Sequence, residues 1–233
     1  SCPVGMRIIG FTPPKKIIKQ TDLIKDTRII TNKIPNLTYG SGVYEKTALD
    51  MAVWVGDEAS VDFYLQSGAD VNFSTAQNST PFRKAIYQNR KQIIERLLDT
   101  DKVNLKPEYF YLAAQHRATE ILAMLLKYEG KKEVNYSVLL ETAITNGDEE
   151  TIQLLLAYGA DPFSKAVAKK PLIQLAVELG YVNALELLLI SSSKKMSPAE
   201  LTRRLNQFDL LELAVRKGHP LSTQLLLRYG ADA

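Results

Sequence analysis

Cys2, His116 and His219 are the whole cysteine and histidine complement of the chain. A single cysteine supplies neither an internal disulfide nor a cysteine-based zinc site. A Cys2–His116 nucleophile and base would need a third group to orient the base. One of the two lies in a terminal tail, the other in a helical pattern far along the chain, and nothing orients them. Glu141 and Glu149-Glu150 fall around an expected helix turn, where carboxylates complement a helix N-terminus. Gly40-Ser41-Gly42 continues as Val43-Tyr44-Glu45, without the Lys-Ser/Thr that holds phosphate and Mg²⁺ in a phosphate loop. The sequence therefore points to no catalytic residue, no metal and no cofactor, and it reads as a non-enzyme.

Composition sets the class. Among 233 residues, 45% are hydrophobic and 24% charged, with 12 Gly and 10 Pro, an ordinary globular balance. The longest apolar runs, Tyr109–Ala114 and Ile121–Leu126, are six residues each. A membrane span needs about 20, so none is expected, and no signal peptide opens the chain. Residues 1–43 carry seven basic side chains against Asp22 and Asp26, which is +5. The remainder has 22 basic and 24 acidic side chains, or −2, so the net +3 is too mild for a nucleic-acid binder.

Internal repetition is the informative feature. Ala52, Ala85, Ala113, Ala143, Ala176 and Ala214 are spaced by 33, 28, 30, 33 and 38 residues. Three places before each stand Leu49, Phe82, Phe110, Leu140, Ile173 and Leu211. Immediately after stand Val53, Ile86, Ala114, Ile144, Val177 and Val215. Four places after stand Gly56, Asn89, Arg117, Gly147, Gly180 and Gly218, and thirteen places after every alanine is a leucine.

Physically, one copy is a pair of antiparallel helices. The apolar set around the alanine makes one helical face, and a glycine after it stops the helix by taking φ > 0. A second amphipathic helix follows, such as the one carrying Ile93, Ile94, Leu97 and Leu98. It ends at a second glycine in Gly68-Ala69-Asp70, Gly159-Ala160-Asp161 and Gly230-Ala231-Asp232. The leucine thirteen places after each alanine is expected in its core. One such pair cannot bury both faces alone, so the copies must stack.

These residues resemble the ankyrin repeat, whose pattern TPLHxAAxxGHxxxxxxLLxxGADVN is approached by Thr47-Ala48-Leu49-Asp50-Met51-Ala52 running to Gly68-Ala69-Asp70-Val71-Asn72. Thr80-Pro81-Phe82 opens the second copy, and Pro171-Leu172-Ile173-Gln174-Leu175-Ala176 the fifth. The resemblance covers roughly residues 44–233. It implies an all-α ankyrin-repeat solenoid of stacked helix-turn-helix pairs with short β-hairpin fingers, preceded by an irregular, β-prone segment. The six copies are expected at 44–76, 77–104, 105–134, 135–167, 168–205 and 206–233. The family's histidine is replaced by Asp50, Arg83, Tyr111, Glu141, Gln174 and Glu212, so its bond to a neighbouring repeat is absent or remade. Copies two and three lack the Gly-Ala-Asp turn.

Two irregularities interrupt the array. The short step through Val103-Asn104-Leu105-Lys106-Pro107 predicts a blunt finger. The long step contains Ser197-Pro198-Ala199-Glu200, a capping box with Pro at the first helical position, and predicts an added helical turn or two from Pro198. Residues 1–43, with β-prone Met6–Phe11 and Arg28–Thr31, are expected to cap the first copy or to end a preceding domain. The chain stops inside Gly230-Ala231-Asp232-Ala233, where the family starts another finger, and further sequence is expected beyond it.

What the resemblance implies about function is binding of a partner protein through a concave groove of inner helices and fingers. Carried over copy by copy, the groove residues are Trp54 and Val55, Tyr87 and Gln88, Gln115 and His116, Thr145 and Asn146, Glu178 and Leu179, Arg216 and Lys217. Phe73 and Asn78 join them from the fingers. The alternative is a targeting or regulatory arm of a larger enzyme whose catalytic domain lies outside this sequence. A monomeric, cytoplasmic protein is expected. Nineteen Lys against ten Arg, with 16 Ile, is a low-GC flavour compatible with an effector of an intracellular bacterium, delivered into a host cell, or a viral host-range protein.

Overall fold

The computed structural model describes residues 38–39, 46–74, 79–129, 134–165, 167 and 169–232. Most of residues 1–43, including both β-prone stretches, therefore lies outside the described residues, as does Asn78. By contact the chain divides into two compact units, which meet in sequence at Tyr109 and Phe110.

The first unit opens with a two-residue ladder in which β1 (Thr38–Tyr39) pairs antiparallel with β2 (Lys46–Thr47). It continues through α1 (Ala48–Val55), α2 (Glu58–Gln66), α3 (Pro81–Tyr87) and α4 (Lys91–Leu98) to the start of α5 (Pro107–Gln115). The second unit takes up the rest of α5, then α6 (Thr119–Glu129), α7 (Tyr136–Asn146), α8 (Glu149–Ala157), α9 (Leu172–Leu179), α10 (Val182–Lys195), α11 (Pro198–Gln207), α12 (Leu210–Arg216) and α13 (Pro220–Arg228). Within each unit the chain is a helical stack. In the first, α1 packs on α2 and α3, and α2 on α4. In the second, α7 packs on α8 and α9, α9 on α12, and α10 on both α8 and α13.

Helix starts follow side-chain chemistry. Thr47 and Asp50 form a complete capping box at α1, with bonds of 3.1 Å in each direction. Thr80 caps α3 ahead of Pro81, whose missing N–H costs nothing in the first turn. Asp57 and Asp148 cap α2 and α8.

Helix ends are set by one repeated device. The residue four places after each alanine is left-handed in all six copies: φ is +83° at Gly56, +54° at Asn89, +55° at Arg117, +61° at Gly147, +67° at Gly180 and +72° at Gly218. In every copy the next residue's N–H then donates to the carbonyl of the alanine itself, at 2.9–3.1 Å. That is the closing bond of a Schellman turn. The six alanines are fully buried. A left-handed residue recurs after the second helix at Gly68, Asp101, Gly159 and Gly230, and after the three glycines the next N–H again closes onto a helix carbonyl, those of Tyr64, Leu155 and Leu226. The second copy reaches the left-handed conformation with an aspartate, but there the next N–H, that of Lys102, donates to the Thr100 hydroxyl at 3.3 Å. In the third and fifth copies the corresponding residues, Glu129 and Ser192, lie within second helices that run to Glu129 and Lys195.

Three expectations are corrected. The uniformly buried position of the second helix is the twelfth after the alanine, not the thirteenth. Tyr64, Leu97, Leu125, Leu155, Leu188 and Leu226 are all at 0% exposure. The thirteenth varies from Leu189 at 0% to Leu227 at 53%, because it lies at the edge of the inward face. Val215, whose five counterparts are completely buried, is 62% exposed, since the sixth copy has nothing packed over that position. The insertion at Pro198 is a ten-residue helix, α11, rather than a turn or two. Only half of its capping box forms. Ser197 accepts from the Glu200 N–H at 3.3 Å, while the Glu200 carboxylate accepts from Arg203 and Arg204 at 2.8–2.9 Å. Those bonds hold the Glu200 carboxyl at about 2. Helix α11 is secured by Phe163, which stacks on Phe208 with ring centroids 6.2 Å apart and lies under the Arg204 guanidinium at 5.2 Å.

The left-handed turn sets the first test. Gly147→Ala places a Cβ in ordinary contact with Tyr181, 3.6 Å away. The left-handed backbone alone should therefore cost about 1–2 kcal/mol in urea unfolding. Asn89→Gly removes the same strain and should raise stability by about 0.5–1 kcal/mol. Equal midpoints for both variants and the parent would remove this account of the turn.

Candidate protein-binding surface

The second and third residues after each alanine close the first helix on the side opposite its buried stripe. In the first unit this brings out two aromatic side chains, Trp54 at 42% and Tyr87 at 58% exposure. Their partners at the third position, Val55 and Gln88, are half-buried, and the Gln88 side-chain oxygen is buried. Phe73 is half-buried. Beside it, Asn72 ties two successive loops together, donating to the Lys102 carbonyl at 2.7 Å and accepting from the Asn104 N–H at 2.8 Å.

In the second unit Gln115, His116, Thr145, Asn146, Leu179, Arg216 and Lys217 are exposed, and Glu178 is half-buried. Several are already engaged. Asn146 donates to the carbonyls of Ala114 and Gln115 at 3.5 Å, and its own carbonyl accepts from Arg117 at 2.5 Å. It is a staple between copies three and four. The Thr145 hydroxyl donates to the Glu141 carbonyl at 2.8 Å. Glu178 accepts from Lys170 at 2.8 Å and Gln174 at 3.0 Å. Partial burial pushes its carboxyl up, but those two donors outweigh the burial and leave it below the ordinary value. Arg216 reaches Glu212 on its own helix at 3.5 Å.

The repeat's histidine position is rebuilt electrostatically. Asp50 is completely buried, and its second oxygen meets Lys84 of the next helix pair at 2.7 Å. In the fourth copy Glu141 instead accepts from the Val167 N–H at 2.8 Å, fastening the loop around the Lys165–Pro171 bridge.

Sequence reasoning missed one residue at this edge. The fifth position after the alanine starts the second helix, and its side chain has two alternative uses. Asp57 and Asp148 cap their own helices. Arg90, Tyr181 and His219 make no capping bond and lie over the left-handed glycine of the preceding copy. A Cβ on Gly56 would stand 2.8 Å from the Arg90 Cζ, and one on Gly180 would stand 2.7 Å from the His219 ring. The signal lay in the pairing of a glycine in one copy with a large side chain one repeat and one residue later.

Among the described residues no group of three or more His, Cys, Asp or Glu side chains could hold a metal ion. No described helix is long and apolar enough to cross a membrane. An open cleft in the second unit is lined by Gln174, Phe208, Asp209, Glu212, Leu213 and Arg216. It contains no paired acid and base beyond the Arg216–Glu212 contact.

Comparison with solved structures places this architecture. The ankyrin repeat domain of human ASB11 aligns over 80% of this chain and 85% of its own, at 17% identity and a TM-score of 0.60. That of Bcl-3, a member of the IkappaB protein family, covers 80% and 87% at 23% identity and 0.61. An ankyrin repeat domain from Acinetobacter baumannii AYE covers 79% and 98% at 20% identity and 0.63. No protein-family model matches the sequence, and a search of curated proteins returns no match. The chain has the ankyrin-repeat fold.

The Asp50–Lys84 pair is the costliest element of this surface to break. Lys84→Met leaves a buried carboxylate without its cation and should destabilise the protein by about 3–5 kcal/mol. A thermal melt reads this directly, and a variant melting with the parent would show that the pair does not bridge the two copies.

Proposed function

We propose that the chain is a protein-recognition module whose binding surface lies along the second and third positions after each alanine and the adjoining loops. The observation that carries this reading is the exposure of Trp54 and Tyr87 at equivalent positions of successive helix pairs. Their immediate neighbours Val53 and Ile86 are completely buried. The buried stripe of each helix is supplied by other residues, and exposed tryptophan and tyrosine are the residue types enriched in interface hot spots. In the second unit, taken by itself, Gln115, His116, Leu179, Arg216 and Lys217 occupy the corresponding exposed positions. Asn146 and Glu178, engaged within the fold, serve them as supports.

The test is a partner captured from lysate, identified by mass spectrometry, and then titrated as a purified protein. Trp54→Ala with Tyr87→Ala should weaken binding by about 2 kcal/mol or more, roughly 30-fold, with an unchanged circular dichroism spectrum. Arg216→Glu with Lys217→Glu should weaken it less and in a salt-dependent way, as rim charges do. Unchanged affinity in both pairs, combined with loss of binding in Glu95→Lys on the exposed side of α4, would move the surface elsewhere.

A further inference from the structure

Arg90 sits in an unusual position for a surface arginine. Its guanidinium lies flat over the Gly56 backbone, with Cζ, Nη1 and Nη2 at 2.8, 2.9 and 3.1 Å from where a Gly56 Cβ would stand. The residue is exposed, yet among the described residues the guanidinium makes no hydrogen bond and no ion pair. The acids around it have other uses. Asp57, next to Gly56, accepts from the Ser60 N–H at 3.2 Å and from its hydroxyl at 2.5 Å. Asp50 holds Lys84, Glu58 and Asp62 both hold Arg96, and Glu108 faces Arg83. Among the described residues this guanidinium is therefore left uncompensated. Trp54 is two residues before the glycine beneath it, and Tyr87 is three residues before Arg90 itself.

We infer that this edge of the first unit binds an acidic peptide segment of a partner protein, with a carboxylate on Arg90 and an apolar or aromatic side chain against Trp54 and Tyr87. A guanidinium lying flat at the surface presents paired donors that match a carboxylate in a two-bond geometry. The rings supply the apolar area that a lone charge pair at a surface lacks. The neighbouring carboxylates limit the occupant. A nucleic acid strand brings a continuous line of phosphates and would meet Asp57 and Glu58 alongside Arg90, whereas a segment with one or two acids would not. The inference rests on the recognition surface proposed above and adds the chemistry of its occupant.

The experiment uses the full chain and three fluorescein-labelled twelve-residue peptides without tryptophan. One alternates Glu and Asp with Leu and Phe, a second replaces every acid by its amide, and a third replaces every acid by Lys. Fluorescence anisotropy gives affinity. The emission of Trp54, the only tryptophan, locates the unlabelled peptide. The acidic peptide should bind saturably with a shift in Trp54 emission, at least tenfold tighter than the amide peptide, and should weaken with added salt. Arg90→Met, which removes the guanidinium and keeps an unbranched apolar chain, should remove that tenfold preference, and Arg90→Glu should transfer it to the lysine peptide. The thermal melt of each variant confirms that it is folded. A lysine peptide binding as well as the acidic one, or an acidic preference surviving Arg90→Met, overturns the inference. If binding falls in Trp54→Ala with Tyr87→Ala but is unmoved by Arg90→Met, the recognition surface stands and only its chemistry is wrong. If no peptide binds and no variant matters, both are lost.

Discussion

A left-handed residue four places after a buried alanine turns the chain in every helix pair, and the rest of the architecture depends on it. The next N–H closes onto the alanine carbonyl at 2.9–3.1 Å in all six copies, so only two or three residues separate the end of the first helix from the start of the second. The alanine supplies the acceptor and, having no side chain beyond Cβ, lets another helix come close. Four copies meet the left-handed requirement with glycine. Asn89 and Arg117 meet it at a steric cost, which shows that the fold demands the conformation rather than the residue type.

That turn also decides what the neighbouring copy can place above it. Gly56 lies under Arg90, Gly147 next to Tyr181 and Gly180 under His219. Where the following copy carries Asp148, which is spent on capping α8, the preceding turn tolerates Arg117, whose guanidinium reaches the Asn146 carbonyl instead. One loop position therefore either starts its own helix or packs on its neighbour. At Arg90 this second use leaves an exposed cation over the glycine that follows Trp54 by two residues, in the copy that carries Tyr87.

The repeat register was legible in the sequence because it is written in residue types with narrow physical roles: alanine where helices touch and glycine where φ is positive. Burial along the second helix was not. Leu97-Leu98, Leu125-Leu126, Leu155-Leu156, Leu188-Leu189 and Leu226-Leu227 offer two leucines each, and only the crossing of neighbouring helices decides which one points inward. The column that is leucine in every copy is the less buried one; the buried column includes Tyr64. The Asp50–Lys84 pair was equally hidden, since residues 34 apart in sequence declare no partnership. The length of α11 depends on Phe163 and Phe208, which sit 45 positions apart. Of the surface positions, the sequence placed Trp54 and Tyr87 at equivalent turns. It could not show that Asn146 and Glu178 are bound within the fold, because their partners are backbone carbonyls and a loop lysine.

The coupling between a turn and the next copy's side chain is the claim on which the rest hangs, and a double-mutant cycle on Gly180 and His219 measures it. Gly180→Ala, His219→Ala and the double variant are compared by urea unfolding. The His219 ring occupies the space a Cβ at 180 would enter. Gly180→Ala should therefore cost more in the parent than in the His219→Ala background, with a coupling on the order of 1 kcal/mol. If the two substitutions add to within about 0.3 kcal/mol, the turns and the copies that follow them are independent, and the account fails.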